Sequence, residues 1–539
     1  MSEVLLRIAR PIMIRSRSFR VSLLPAVLLV CASSSALQGQ QAPPSALQQI
    51  QGLMQGGDLA RARVQLMEVL KAAPRNPLAL NMLGVVNAQE GQFRAAESCY
   101  RKAIGAAPDF VEAYLNLARL YQENQHNDPD ALKESLNAYE SALKYDPSNV
   151  EANYQAAFVL WRRGSFRLSL DRLSRLIQTA RERPQALALA CADEAAMKDN
   201  GGAEEIAERL LRQPDLVEAD VTTITPTLLA QGQSALALRL LEGVDQRGLA
   251  SRATKRQLGL LYEQQGKLKR ARATFEALAP KPEEATGPLL NDMARVAYKD
   301  KDLDGALVYL AYARKLEPEN AATEFSFGVV CLEKNLVAEA YVALKKAAEL
   351  EPDNPDYSFA AGVSMVGRRD VREAYAYLKK YCQLRPGDPR GRLALGAAFF
   401  YGNDPDLARE QFESVANSRE TAADAHYFLG RLANQEGKYT EAAQFLREAI
   451  RTSPNYADAY AELGFSLVKI KEDAAAEQSL QKALELNPEN YTANLSLMMV
   501  YERTKDPRAA EQAARFNQVR EQREQRVKEL MRTVEVRPY

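Results

Sequence analysis

Residues 421–454 read TAADAHYFLGRLANQEGKYTEAAQFLREAIRTSP, and residues 455–488 read NYADAYAELGFSLVKIKEDAAAEQSLQKALELNP. Set one above the other without a gap, the two 34-residue lines place Leu429-Gly430 over Leu463-Gly464, Ala442 over Ala476, Ala449 over Ala483 and Pro454 over Pro488. Moving outward, Pro318, Pro352 and Pro386 keep the same beat, and the one missing proline falls on Glu420. Residues 287–490 are therefore an array of one repeating unit. That period overrides the three or four domains that 539 residues would suggest by length, because repeats stack into one elongated body.

The fullest unit lies N-terminal to that array, in residues 77–110, with Leu83-Gly84, Gly91, Phe93, Ala96, Tyr100, Ala103 and Pro108. A helix pair explains each of them. Gly84 lets a second helix approach the first, Ala96 and Ala103 are small residues accepting that contact, and Leu83 and Tyr100 fill the space between. Gly91 permits the turn, and Pro108 stops the second helix. The arrangement recurs at Phe327-Gly328, Ala340, Ala347 and Pro352, at Gly362, Ala374 and Pro386, and at Leu395-Gly396, Ala408 and Phe412.

These residues resemble the tetratricopeptide repeat, a 34-residue helix-turn-helix unit. The resemblance implies an all-α fold, a right-handed α-α superhelix or solenoid of about fourteen repeats. Composition agrees with helices packed through small side chains: 46% hydrophobic residues and only 7% aromatic.

The 70 basic and 70 acidic residues balance. Five arginines and one glutamate lie in the first 36 residues, so the rest carries a net charge of −4. Such a body lacks the basic footprint of nucleic-acid binding, and no nucleic-acid partner is expected. Cys31 falls in the leader, and Cys99, Cys191, Cys331 and Cys382 lie far apart within helical patterns, which predicts buried free thiols.

Residues 1–36 carry Arg7, Arg10, Arg15, Arg17 and Arg20, then an apolar run over 21–32, then small residues to Ala36. That order reads as a signal peptide cleaved near Ala36, and hence as an exported protein. If the organism is bacterial the compartment is the periplasm or outer membrane; otherwise the protein is secreted. An uncleaved anchor, a lipid on Cys31 and an organelle transit peptide are the other readings, so a membrane enters only through the leader or a lipid anchor. Residues 37–44 form a polar linker, 45–182 an N-terminal repeat block, and 183–250 degenerate repeats that read as a bend. Residues 251–505 form a C-terminal block, and 506–539 a capping helix and tail. In 183–250, Gly201-Gly202 and Gly232 are read as turns and Pro226 as an interruption of a first helix. A five-residue insertion within 122–131 makes a longer polar loop around His126.

No phosphate-binding GxxxxGK[ST], zinc-binding HExxH or nucleophile GxSxG occurs. With His126 and His426 the only histidines, a histidine-based catalytic site is nearly excluded, and His426 stands at a packing position. We expect no enzyme activity, no cofactor and no metal.

The family resemblance further implies that first helices line a concave groove. Its positions fall on Asn81, Asn116, Arg119, Tyr154 and Trp161, and on Phe325, Val329, Phe359, Val363, Phe400, Tyr401, Tyr427, Arg431 and Phe465. The lysine and asparagine set with which some relatives grip a peptide carboxylate is missing. The C-terminal positions read instead as an aromatic track for an extended or helical peptide segment of a protein partner. The competing reading packs these rings between neighbouring first helices. As a function, a protein-binding scaffold leads; an accessory subunit of a glycan- or peptidoglycan-modifying enzyme, or of a polysaccharide-export or pilus machine, is the alternative.

Overall fold

The computed structural model describes residues 44–124, 130–368 and 371–535. The leader 1–36 and His126 lie outside them. Among the described residues there are 29 α-helices, one short 3-10 turn and no strand. Apart from the single turn Gln178–Arg181, the α-helices form antiparallel pairs. The chain divides at residues 278 and 279 into two compact units. Seven pairs belong to the first, from Pro44–Gln55 with Leu59–Ala72 to Arg252–Gln264 with Leu268–Leu278. Seven belong to the second, from Gly287–Lys299 with Leu303–Leu316 to Tyr491–Thr504 with Ala509–Glu535.

Within a pair, the glycine of the first helix faces the large residue sixteen positions on. A Cβ on Gly84 would stand 2.5 Å from the Tyr100 ring, and one on Gly430 would stand 2.6 Å from Leu446 Cγ. Ala96 and Ala103 are completely buried beside that contact. The large side chain therefore lies directly on the glycine, with the alanines flanking it.

Between the two helices one residue is left-handed, and it recurs at the repeat period. Gly91, Gly164, Gly232, Gly266 and Gly437 have φ between 72° and 76°. Lys198, Lys301, Asn335, Asn403, Lys471 and Lys505 take the same conformation, with φ between 56° and 66°. The turn near 200 is therefore made by Lys198, which corrects the reading of Gly201-Gly202. Those glycines begin the helix Asn200–Arg212, where the Gly202 amide donates to Asp199 Oδ1 at 2.9 Å. Pro226 likewise sits inside an unbroken helix, Glu218–Ala230, rather than ending one. Its first half is tied by hydroxyls, with Thr222, Thr223 and Thr225 donating to the carbonyls of Glu218, Ala219 and Val221.

Between pairs, proline ends one helix and asparagine starts the next. Asn149, Asn320 and Asn490, each two residues after a proline, accept from the amides of Ala152, Thr323 and Ala493. Asn153 and Asn494 then donate back to the carbonyls of Pro147 and Pro488, both at 3.0 Å.

First helices of successive pairs touch one another, as Ala457–Lys469 touches Tyr491–Thr504, Pro184–Ala196 touches Glu218–Ala230 and Pro355–Arg368 touches Pro389–Tyr401. Among the described second helices, Asn200–Arg212 and Ser234–Gln246 make contact of comparable extent. Within each unit the first helices therefore hold the crowded, inner side of the stack. The four described cysteines are free thiols; burial pushes Cys331 up to about 11 and Cys191 up to about 12. Among the described residues no helix is long and apolar enough to cross a membrane.

Candidate functional site

In the first unit the groove positions bond to one another across three first helices. The Asn116 side-chain amide donates to Asn81 Oδ1 at 3.0 Å, Arg119 Nη1 donates to Asn116 Oδ1 at 2.7 Å, and Arg119 Nε donates to Glu151 Oε1 at 2.7 Å. Asn81 is buried, and Asn116 and Arg119 are half-buried. This ladder staples repeats two, three and four together. Trp161 is 8% exposed and packs on Phe158 at 5.7 Å between centroids, and half-buried Tyr154 is pushed up to about 12, mainly by burial.

In the second unit the expected aromatic track is largely internal. Phe325, Phe359, Phe400 and Tyr427 are 4%, 1%, 7% and 6% exposed. Phe325 meets Tyr357 at 4.9 Å, Phe359 meets Tyr381 at 4.7 Å, and Tyr427 meets Tyr456 at 4.9 Å. Phe400 stands edge-on to Phe428, which is stacked on Phe412. The rings fill the seams between one first helix and the next element, so they offer a ligand almost no surface. Val363 is buried as well, and Val329 half-buried.

Solvent reaches Tyr401, Arg431 and Phe465, which stand half-buried on three successive first helices. The Arg431 guanidinium lies 4.7 Å from the Phe400 ring centroid and 5.6 Å from that of Tyr427. Its Nε is 3.8 Å from Glu462 Oε1. Glu462 Oε2 accepts from the Asn434 side-chain amide at 3.0 Å, and Ser466 donates to Asn434 Oδ1 at 2.8 Å. Burial raises the Glu462 carboxyl, with Arg431 and Asn434 acting against it. One helix on, the exposed Lys469 ammonium lies 5.2 Å from the Phe465 ring. Two cations resting on aromatic faces can hold the carboxylate or carbonyl groups of a bound chain.

This geometry offers contact to a bound chain. His426 is half-buried, with Nδ1 2.8 Å from the Ala422 carbonyl oxygen in its own helix. Among the described residues no three His, Cys, Asp or Glu side chains converge as metal ligands.

Among the carboxylates with little access to water, buried Glu324 and Asp193 and half-buried Glu462 escaped the reading of the sequence. Glu324 is 1% exposed between Arg314 and Lys346. Glu462 stands on the inner face, and Asp193 lies in the core of the first unit. Asp193 had a legible signal, since the corresponding residues of other pairs are apolar or hydroxyl-bearing, as Val86, Val159, Leu261, Val330 and Leu432 or Thr227, Ser364 and Ser466.

Family models described as tetratricopeptide repeat match residues 78–110, 393–457 and 457–490. The chain is 29% identical over 104 residues to the uncharacterized protein ycf37 of Cyanophora paradoxa, which is 19% of this chain and 58% of that protein. It is 32% identical over 79 residues to the ycf37 protein of Pyropia yezoensis, or 15% of this chain and 42% of that one. The matches thus span about half the length of these relatives. Among solved structures, a tetratricopeptide repeat protein from Parabacteroides merdae is similar with TM-score 0.39 and 15% identity, covering 46% of this chain and 98% of that one. The Cut9–Hcn1 hetero-tetramer of the APC/C gives TM-score 0.37 and 14% identity over 84% and 95% of the two chains. Yeast Tom70 gives 0.34 and 14% over 88% and 91%.

Proposed function

We propose that this tetratricopeptide repeat protein is a non-catalytic scaffold that holds a segment of a protein partner on the inner, first-helix side of its second unit. The observation carrying this reading is the placement of Arg431 and Lys469 over aromatic rings on adjacent first helices, at positions left open to solvent. The floor beneath them is already packed, so binding requires little ordering of the scaffold. Side chains at the edge supply the recognition. The order of basic, apolar and small residues in 1–36 supports export, and with it a partner in the cell envelope or outside the cell.

The test is crosslinking and pull-down from envelope extracts with the full-length protein, its Arg431→Ala variant and its Lys469→Glu variant. We expect both variants to lose the partner captured by the parent, Lys469→Glu while melting at an unchanged temperature and Arg431→Ala with a lowered one, because Arg431 also faces the Glu462 carboxylate. Undiminished capture by both would remove the second unit's inner side from the reading. Retention of glycan polymer in place of protein would favour the accessory-subunit alternative.

A further inference from the structure

The fourth helix pair of the first unit is built differently from its neighbours. The second helices on either side, Ala131–Tyr145 and Asn200–Arg212, have 15 and 13 residues, whereas Phe166–Ser174 has 9. The chain then turns through residues 175–177 into the single turn Gln178–Arg181. Arg181 ties this break together, its Nη2 donating to the carbonyls of Ser174 at 2.7 Å and Leu176 at 2.8 Å.

Against the broken helix packs Pro184–Ala196, which sets Asp193 opposite Ser169. Both side chains are fully enclosed, at 0% exposure. Neither the Asp193 oxygens nor the Ser169 hydroxyl makes a hydrogen bond of normal geometry, although Ser169 stands near enough to favour the ionised carboxylate.

The charged groups of the surrounding elements are engaged elsewhere. Glu204, on Asn200–Arg212, acts on Cys191. Asp220, on Glu218–Ala230, acts on Tyr154 of Val150–Arg162. On the broken helix Arg172 pairs with Glu140, and Asp171 with Arg175. The charge that acts on Asp193 is that of its neighbour Glu194, which disfavours ionisation further. Glu324 shows the contrast, because it is equally enclosed but meets two cations. An isolated carboxylate in such surroundings is strongly disfavoured, whereas the protonated acid is tolerated.

We propose that Asp193 is held as the neutral acid at the seam between the fourth and fifth helix pairs, and that its ionisation loosens that seam, making it a proton-dependent joint within the first unit. Burial pushes the carboxyl up to about 8, with Ser169 pulling against it and Glu194 adding to it. In an opened seam the group returns to the ordinary carboxylate value of about 4. The closed seam therefore has its full stability below about pH 4. It loses on the order of tenfold in its closing equilibrium per pH unit above that, and the loss is complete above about pH 8. The shortened helix is the element that gives way, because it has fewer backbone bonds to break than Pro184–Ala196 packed against it.

Hydrogen–deuterium exchange on the full-length protein at pH 5 and pH 8, corrected for the intrinsic pH dependence of amide exchange, tests this. Amides in 166–196 are expected to lose protection by roughly tenfold per pH unit more than amides in 77–123 of the same unit. Asp193→Asn should abolish that difference, whereas Ser169→Ala should keep it. A uniform loss across both segments, or an unchanged response in Asp193→Asn, would overturn the proposal. If Asp193→Asn does not fold, the comparison of the two segments in the parent protein decides alone.

Discussion

Glu324 sits on a first helix where packing leaves it no water, and its charge is met by Arg314 from the preceding helix and Lys346 from the following one. Arg314 also lies 4.2 Å from the Phe327 ring, so it is held on two sides. Removing the two kinds of partner should have unequal effects. Arg314→Met leaves a fully buried carboxylate with half its compensation and should cost about 3–5 kcal/mol of stability. Glu324→Gln keeps the shape and frees two cations that already reach water, and should cost only about 1–2 kcal/mol. Equal losses in denaturant unfolding of the two variants would contradict this account. The same residues mark where reading the sequence stopped. Repeat position assigns Phe325, Phe359, Phe400 and Tyr427 to first helices, but does not give how closely the next helix approaches. The approach is close enough to enclose each ring, and it depends on side chains such as Tyr357 and Tyr456 from the following repeat. Asp193 was hidden for the opposite reason, since a lone acidic residue among plentiful surface carboxylates stands out only when its repeat position is compared across pairs.

At the scale of the helix pair, the crossing was the most legible feature, because it rests on a close approach that few residues permit, whereas the turn was legible only where glycine makes it. A left-handed turn costs a non-glycine residue about 1–2 kcal/mol, part of which glycine returns through its greater freedom in the unfolded chain. Lys198 and Lys471 stand in that conformation, at φ 66° and 63°. Lys198→Gly and Lys471→Gly should therefore each stabilise the protein by about 0.5–1 kcal/mol. Gly437→Ala, at φ 76°, should destabilise it by about 1 kcal/mol. Chemical denaturation of the three variants reads both signs, and a destabilising lysine-to-glycine change would show that the lysine side chains matter more than the turn. The crossing is stricter still. The Cβ of Gly430→Ala would meet Leu446 Cγ at 2.6 Å and the Ala442 carbonyl oxygen at 3.3 Å. Backbone cannot yield as a side chain can, so a loss of about 1–3 kcal/mol is expected. Gly201-Gly202 were misread because glycine was taken as the turn signal, when the invariant is the conformation, which Lys198 supplies three residues earlier.

At the scale of the molecule, fourteen pairs in two units of seven derive their stability from intrinsic terms and from contacts with the next pair along, and a terminal pair lacks a neighbour on one side. The final helix Ala509–Glu535 answers that lack, at 27 residues about twice the length of the other second helices. Phe516 and Val519 are buried on its inner side, with Phe516 packing against Tyr491 at 5.3 Å. Arg523 extends over the same Tyr491 ring at 4.8 Å. Gln512, itself buried, donates at 3.1 Å to both the carbonyl and the side-chain oxygen of Asn494. The helix thus covers an apolar ring and satisfies a buried amide, while Glu511, Arg515, Arg520 and Glu521 stand exposed on its outward side. A chain ending at residue 508 would expose Tyr491, Leu497 and Val500 to water together. Because coupling runs from neighbour to neighbour, the damage should stay local. Exchange protection should fall in Tyr491–Thr504, less in Asp473–Leu486, and remain unchanged in the first unit. Light scattering should at the same time report self-association through the uncovered face. Protection lost evenly along the whole chain would instead mean that the fourteen pairs unfold as a single cooperative body, and that the last helix contributes to all of them.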